Sequence, residues 1–200
     1  MLKKWERTTF LRKMPFLVER GSAEESRRVF FEMVSLLLPK WEPRYQEIKK
    51  AYNYAEAALE GQFRESGERS FSHSWVVAVR ILSRLRMKDY RLIVAALLHD
   101  VPEDCPKKWT IALVKQEFGD YVAMLNKYGT KLPRWEFASR EFRDRAYRLQ
   151  HRFAPRDFFE VKLEDRLHNI QTLGVCSHAK QIRQIKETRR YYLPYAKKYN

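Results

Sequence analysis

Cysteine is scarce in this 200-residue sequence, which contains only Cys105 and Cys176. The two lie far apart and neither has a partner at metal-ligand spacing, so the sequence suggests neither a disulfide framework nor a zinc knuckle, and we expect free thiols. The sequence also lacks an uninterrupted apolar stretch of about 18 residues, which a membrane-spanning helix requires. Its amino terminus lacks the apolar centre of a secretory signal. These absences predict a soluble, cytoplasmic protein.

Acidic residues are outnumbered by basic ones, at 25 against 40, and the formal net charge is +15. Such an excess favours anionic partners, among them nucleic acids, membrane surfaces, acidic proteins and polyphosphorylated small molecules. The basic residues are scattered along the chain without a run of five or six. Charge therefore predicts the sign of the partner but does not identify it.

Alternating strand patterns and internal repeats are also absent, and helical spacing dominates. Apolar residues recur at helical spacing up to Leu38, after the possible capping box Ser22-Ala-Glu-Glu25. Pro39 and Pro43 mark a junction. Further helices are predicted at 48–59, 75–85, 89–100, 109–126, 136–152, 157–173 and 179–198. Because 44% of the residues are hydrophobic, the chain can bury one substantial core. The dominance of helical spacing predicts an all-α fold.

The apolar run LIVAALL ends abruptly in His99-Asp100. Burying an imidazole and a carboxylate is costly unless each is paired, hydrogen-bonded or bound to a metal. Nitrogen and oxygen donors together suit manganese, iron or zinc. A second apolar segment, 161–173, carries Asp165 and Asn169 one turn apart on the same face. The pattern predicts a divalent metal site.

Three blocks in order, HSWVVA, LLHDVPED and KLEDRLHN, resemble the H, HD and D signature of the HD-domain metal-dependent phosphohydrolases. Flanking blocks extend the similarity, including EGQFRESGE, FGDYVAML, GTKL and ETRRYYLPYA. With them, the chain is most similar to the hydrolase domain of the RelA/SpoT alarmone enzymes and to the small alarmone hydrolases. The resemblance covers roughly residues 46–197.

This resemblance implies a compact multi-helix HD-domain fold over residues 46–200. Residues 1–45 have no counterpart in it and are predicted to form a basic helical extension of unknown role. The resemblance also implies that one manganese ion is bound by His73, His99, Asp100 and Asp165.

The implied reaction removes the 3′-pyrophosphate of guanosine tetraphosphate or pentaphosphate, leaving GDP or GTP. A divalent metal helps because it neutralises phosphate charge and supplies a nucleophile near neutral pH. By resemblance, Glu103 and Asp104 orient or deprotonate the attacking water. The residues predicted to contact the nucleotide are Arg64, Ser66, Lys162, Asn169 and Thr172.

Several residues depart from the pattern or lie outside it. We expect Pro102 to reshape the turn between the two acidic pairs, because proline disfavours helical geometry before it. Glu65 would repel a phosphate if it pointed into the site. His168 is predicted either to support the metal ligands or to be a structural residue, whereas His151 and His178 are predicted to lie at the surface. No synthetase domain is recognised, so no synthesis is expected.

Two alternatives stay open: a phosphohydrolase of the same fold acting on another nucleotide, such as an adenosine alarmone, and a non-catalytic member that binds nucleic acid. In the favoured interpretation the partner is a small nucleotide, with no membrane partner. The negative charge of that nucleotide requires basic side chains around the cleft. The candidates for that role are Arg64 and Lys162, followed by Arg166 and Lys180.

Overall fold

The computed structural model describes residues 23–85 and 89–199, and regular structure in these ranges is helical apart from an isolated bridge between Phe63 and Arg69. The helices are α1 (Ala23–Ser35), α2 (Pro43–Ala58), α3 (Ser70–Leu85), α4 (Tyr90–Leu98), α5 (Val101–Asp104), α6 (Ile111–Gly129), α7 (Arg140–Gln150), α8 (Arg156–Gln171), α9 (His178–Glu187) and α10 (Leu193–Tyr199). A π-helical segment, Thr188–Tyr192, joins α9 to α10. The all-α prediction is confirmed. Within the described ranges, none of these helices combines the length and the apolarity that a membrane crossing needs.

Helix α4 lies at the centre of the core, and every residue from Leu92 to Leu98 is buried. A helix that is apolar on all sides must be surrounded by other elements. Helices α2, α3 and α6 pack against α4, and α8 packs against α3. His99, which follows α4 directly, is therefore placed inside the domain next to α3 and α8.

Helix α1 shares this core. Phe30, Met33 and Val34 are fully buried, and the Phe30 ring lies 5.4 Å from the ring of Tyr52 on α2. The described part of the predicted extension thus packs directly on the rest of the domain. The boundary at residue 45 stays a prediction, and residues 1–22, including the predicted cap at Ser22, lie outside the described residues.

Pro102 lies at the break between α4 and α5, and the backbone amides that follow it keep their hydrogen bonds. It lies in the first turn of α5, where a proline costs little because the first N–H groups of a helix have no helical partner. The amide of Asp104 donates to the carbonyl of Asp100 at 2.9 Å. The break between the helices places Glu103 and Asp104 one turn beyond His99-Asp100.

The prediction that His151 is a surface residue is wrong, although His178 is exposed as predicted. His151 is buried, with ring centroids 4.4 Å from Tyr147 and 4.9 Å from Phe158. Its Nε2 donates to the carbonyl of Tyr128 at 3.2 Å. Burial lowers the pKa of His151 to about 3, and the positive charge of Lys162 adds to this effect.

We expect His151 to make the fold sensitive to acid. Because its folded pKa of about 3 lies below its ordinary value of 6.5, its contribution to stability is complete above pH 6.5 and is lost as the pH falls toward 3. From about pH 7 to about pH 5, the native chain should lose about 2 kcal/mol more unfolding free energy than the His151→Gln variant. Urea unfolding of both chains measures this, and equal losses would contradict the prediction.

Candidate metal centre and nucleotide cleft

Two histidines and one aspartate converge where α3, α4 and α8 meet. Nε2 of His73 lies 3.0 Å from Oδ1 of Asp165 and 3.2 Å from Nε2 of His99. One donor atom from each of the three residues lies within 4.8 Å of the other two, and all three residues are buried. His73 stands in the first turn of α3, His99 directly follows α4 and Asp165 lies on α8. Three stretches of chain that are distant in sequence therefore build one cluster.

Neighbouring groups set the orientation of both imidazoles. Nδ1 of His99 lies 2.7 Å from the carbonyl of Ala96. Since a carbonyl only accepts, Nδ1 of His99 carries the proton and Nε2 directs a lone pair at the cluster. Nδ1 of His73 lies 2.6 Å from Nδ1 of buried His168, the supporting position that the sequence predicts for His168. Burial lowers the pKa of His73 and favours the neutral imidazole that can bind a metal.

The donor set fits a divalent metal ion. Two Nε2 atoms 3.2 Å apart face each other beside a buried carboxylate, and a shared cation satisfies such lone pairs. Asp100 approaches both histidines, with carboxylate oxygens 3.6 Å from Nε2 of His73 and 3.2 Å from Nε2 of His99. Its side chain is 34% exposed, against 5% for Asp165. The structure thus brings the four predicted ligands together, with Asp100 on the solvent side.

Asp165 is ionised despite its burial. Burial alone would raise its pKa, but the neighbouring ammonium of Lys162 holds that pKa well below its usual range. Nζ of Lys162 donates to Oδ2 at 2.7 Å, and the side-chain amide of Asn169 donates to Oδ1. These partners fix the carboxylate of Asp165 toward the histidines.

Glu103 and Asp104 lie on α5 and line the same cleft. Oε1 of Glu103 lies 3.6 Å from Nζ of Lys131. Partial removal from water raises the pKa of Asp104 to about 7, and the charges of Asp100 and Glu103 add to the rise, while Asp104 keeps contact with solvent. A carboxyl group that exchanges its proton near neutral pH suits proton transfer.

A cleft of about 490 Å³ opens beside the donor cluster, and His73, Asp100 and Asp165 line it. Among the described residues, ten lysines and arginines line it against six aspartates and glutamates. The four basic residues predicted from the sequence all contribute to the lining. Sequence reasoning missed Lys131, Arg140, Arg148, Arg183, Lys186 and Arg190. A signal existed for some of them, because Lys131 belongs to the GTKL block and Arg190 to ETRRYYLPYA.

The predicted nucleotide contacts are divided between this cleft and a smaller depression beside it. Arg64, Lys162 and Asn169 line the cleft, whereas Ser66 and Thr172 line the depression of about 50 Å³, to which Arg64 and Asn169 also contribute. Nη2 of Arg64 donates to Oδ1 of Asn169 at 2.5 Å. Nη1 of Arg64 is buried and has no hydrogen-bond partner in the described part of the chain, so it is a free donor beside both spaces.

Glu65 lies on the depression and not on the main cleft, and its carboxylate is paired with Lys180. The hydrogen bond from Lys180 is the largest influence on Glu65 and lowers its pKa. The pairing partly neutralises the carboxylate. It therefore reduces the repulsion of a phosphate that was expected from Glu65.

An all-helical domain with two histidines and an aspartate at the floor of a basic cleft has the arrangement that the H, HD and D blocks predict. Residues 51–199 match the model of the family described as the HD domain, and the chain belongs to that family.

Two similar proteins are much longer than this chain. The chain is 36% identical over 171 residues to the bifunctional (p)ppGpp synthase/hydrolase SpoT of Escherichia coli K12. This match covers 83% of this chain and 24% of the relative. It is 41% identical over 145 residues to the guanosine-3′,5′-bis(diphosphate) 3′-pyrophosphohydrolase of Haemophilus influenzae, covering 71% of this chain and 21% of the relative. The chain thus spans about a quarter of the length of these relatives.

A solved structure described as a metazoan ortholog of SpoT that hydrolyzes ppGpp has a similar fold. The TM-score is 0.60 at 22% sequence identity, and the match covers 76% of this chain and 83% of the other. At that identity the likeness supports the fold.

Proposed function

We propose that this chain is a manganese-dependent hydrolase that removes the 3′-pyrophosphate of guanosine tetraphosphate or pentaphosphate. The observation that carries the proposal is the buried cluster of His73, His99 and Asp165 at the floor of a cleft lined by more basic than acidic side chains. The cluster suits a divalent metal, and the lining suits a polyphosphate. The names of the relatives supply the guanosine substrate and the pyrophosphate leaving group.

In this proposal His73, His99, Asp100 and Asp165 hold one Mn²⁺ ion. When bound, the ion supplies Lewis acidity toward the phosphate oxygens and makes water a better nucleophile near neutral pH. Imidazole and carboxylate donors also suit iron and zinc, and manganese is the ion that the family resemblance implies.

Glu103 and Asp104 transfer the protons of the attacking water and of the leaving 3′ oxygen. Water adds to the phosphorus attached to the 3′ oxygen while a carboxylate of this pair accepts its proton. The bond between that phosphorus and the 3′ oxygen breaks, pyrophosphate leaves, and the 3′ oxygen takes up a proton to become a hydroxyl. The raised pKa of Asp104, about 7, is in the range that lets one carboxyl both accept and return a proton.

Arg64 and Asn169 position the nucleoside next to this centre. The planar guanidinium of Arg64 can stack on a base, and its buried Nη1 can donate a hydrogen bond to the nucleotide. Ser66 and Thr172 border the adjoining depression, where they can reach polar groups of the base. Lys162 orients Asp165 and adds positive charge to the wall of the cleft.

A panel of nucleotides with added Mn²⁺ tests the substrate. We expect pyrophosphate release from guanosine tetraphosphate and pentaphosphate, little release from the matching adenosine compounds, and none when a chelator replaces the metal. Faster release from the adenosine compounds would transfer the assignment to an adenosine alarmone. Absence of release from every nucleotide would favour the non-catalytic alternative.

The charge of the cleft should make substrate capture sensitive to salt. We expect kcat/KM to fall as the ionic strength rises from about 0.05 M to about 0.5 M, because screening weakens steering of an anion. The variant Arg183→Gln/Lys186→Gln should lower kcat/KM at low salt and flatten the salt dependence. The matched variant Lys197→Gln/Lys198→Gln removes two exposed charges that do not line the cleft, and it should behave like the native chain.

A salt-insensitive kcat/KM in the native chain would contradict this role of the charge. Transfer RNA added as a competitor gives a second readout, and we expect only weak inhibition. Tight binding of transfer RNA together with salt-insensitive turnover would assign the basic surface to nucleic acid.

A further inference from the structure

Helix α7 turns its polar side toward the protein and its apolar side toward solvent. The cleft receives Arg140, Asp144, Tyr147 and Arg148 from this helix. Tyr147 is the buried residue of α7, and its hydroxyl donates to the carbonyl of Gly129 at 2.9 Å. The helix is therefore anchored through a polar, cleft-facing side.

The opposite side of α7 presents large apolar groups. Phe142, Leu149 and Phe153 are 60%, 47% and 81% exposed. Leu149 and Phe153 follow Phe142 by seven and eleven positions. This spacing keeps them on one side of the helix and of the 3₁₀ turn, His151–Phe153, that continues it. Arg145 and Arg152 are exposed between them. We call these five residues the outer α7 surface.

Such a surface differs from ordinary scattered exposure of apolar residues. An amphipathic helix normally buries its apolar side, and a contiguous exposed apolar patch marks an interaction site. Aromatic side chains and arginine are the residue types enriched at protein interfaces. No segment within the described ranges covers the outer α7 surface.

The charges select among the possible occupants. Arg145 and Arg152 make the patch basic, with Glu141 as the acidic residue at its amino-terminal end. A second copy of the chain would bring the same arginines and a net charge of +15. Residues 1–22 carry six basic and two acidic side chains, so their charge also opposes contact with this patch. An acidic partner is the one whose charge is complementary.

We propose that the outer α7 surface docks an acidic amphipathic helix from another protein. The apolar side of that helix packs on Phe142, Leu149 and Phe153, and carboxylates at its edges pair with Arg145 and Arg152. Packing of an amphipathic helix through side chains at such spacing is a common mode of peptide recognition.

A pair of synthetic peptides of about 20 residues tests the proposal, one with leucines on one side and glutamates on the other, and a twin with lysines in place of the glutamates. In titration calorimetry with the full chain, the acidic peptide should bind and the lysine twin should not. Phe142→Ser/Leu149→Ser should weaken binding at least about 10-fold. Trp41→Ser removes an 80% exposed aromatic from the loop between α1 and α2, and it should change nothing.

A charge-reversed variant keeps the test decisive. The Arg145→Glu/Arg152→Glu variant should no longer bind the acidic peptide and should bind the lysine twin. Equal binding of the acidic peptide to the native chain and to Phe142→Ser/Leu149→Ser would overturn the proposal, as would equal binding of both peptides to the native chain. Self-association of the native chain that Phe142→Ser/Leu149→Ser abolishes would assign the surface to a second copy. Binding of transfer RNA or anionic vesicles that requires Phe142 and Leu149 would likewise overturn it.

Discussion

Replacing Asp165 by alanine should strip the divalent metal from the protein and abolish nucleotide hydrolysis. The carboxylate of Asp165 lies 3.0 Å from Nε2 of His73 and 3.8 Å from Nε2 of His99, so it closes the donor cluster. Without it, two imidazoles and the partly exposed Asp100 are left. We expect metal affinity to fall by at least about 100-fold, beyond the usual effect of losing a supporting residue.

The same substitution has a second consequence, because it leaves the largely buried ammonium of Lys162 without its partner. Removing one member of a buried ion pair costs about 3–5 kcal/mol. The double variant Asp165→Ala/Lys162→Met removes both charges and should recover most of the stability while still failing to bind metal. This comparison separates loss of the metal site from loss of the fold.

Elemental analysis of the purified variants measures the outcome. Asp144→Asn is the matched control, since Asp144 lines the cleft but lies outside the donor cluster, and it should retain its metal. Full metal occupancy in Asp165→Ala would show that the ion is held elsewhere.

Replacing Glu103 by glutamine should leave metal content unchanged and lower kcat by about 100-fold or more, the usual scale for losing a proton-transfer group. Glutamine matches the size of Glu103 and can still accept the amide of Lys131, which lies 3.4 Å from Oε2. It cannot take the proton of water. KM should change little, because the substrate is bound by other groups.

Asp104→Asn should show the same pattern if the two carboxylates share the task. Glu187→Gln serves as the control, because Glu187 lines the cleft and pairs with Arg166 away from the donor cluster. A Glu103→Gln protein that loses its metal would show that Glu103 is a ligand, and unchanged kcat would remove it from the chemistry.

The helices, and the residues proposed to hold a metal, could be predicted because their signals are local. Helical spacing and proline positions indicate the helices. His99-Asp100 at the end of an apolar run is a weak signal by itself, and Asp165 on a second apolar segment strengthens it. The resemblance predicts His73 and Asp165 as ligands, from short blocks of sequence in the order typical of the family. Each of these signals lies within about ten residues of chain.

The burial of His151 could not be predicted, because two of its partners come from distant parts of the chain. The carbonyl of Tyr128 on α6 accepts from its Nε2, and the Tyr192 ring in the π-helical segment lies 6.3 Å from the His151 ring centroid. A lone histidine outside any motif carries no sign of such packing.

Helix α7 shows the limit of periodicity more directly. The spacing of Phe142 and Leu149 predicts an amphipathic helix, and the usual rule places that side in the core. The structure places it toward solvent, because Tyr147 and the basic residues of the opposite side line the cleft. Periodicity identifies the two sides of a helix, but the partners that decide which side is buried are set by the whole fold.

The most direct measurement is the identity of the products formed from guanosine tetraphosphate with and without Mn²⁺. We expect GDP and pyrophosphate in equal amounts with Mn²⁺, and neither product with a chelator or with the Asp165→Ala variant. Failure of the Mn²⁺-loaded native chain to release pyrophosphate, or release that persists in the chelator and in Asp165→Ala, would contradict it.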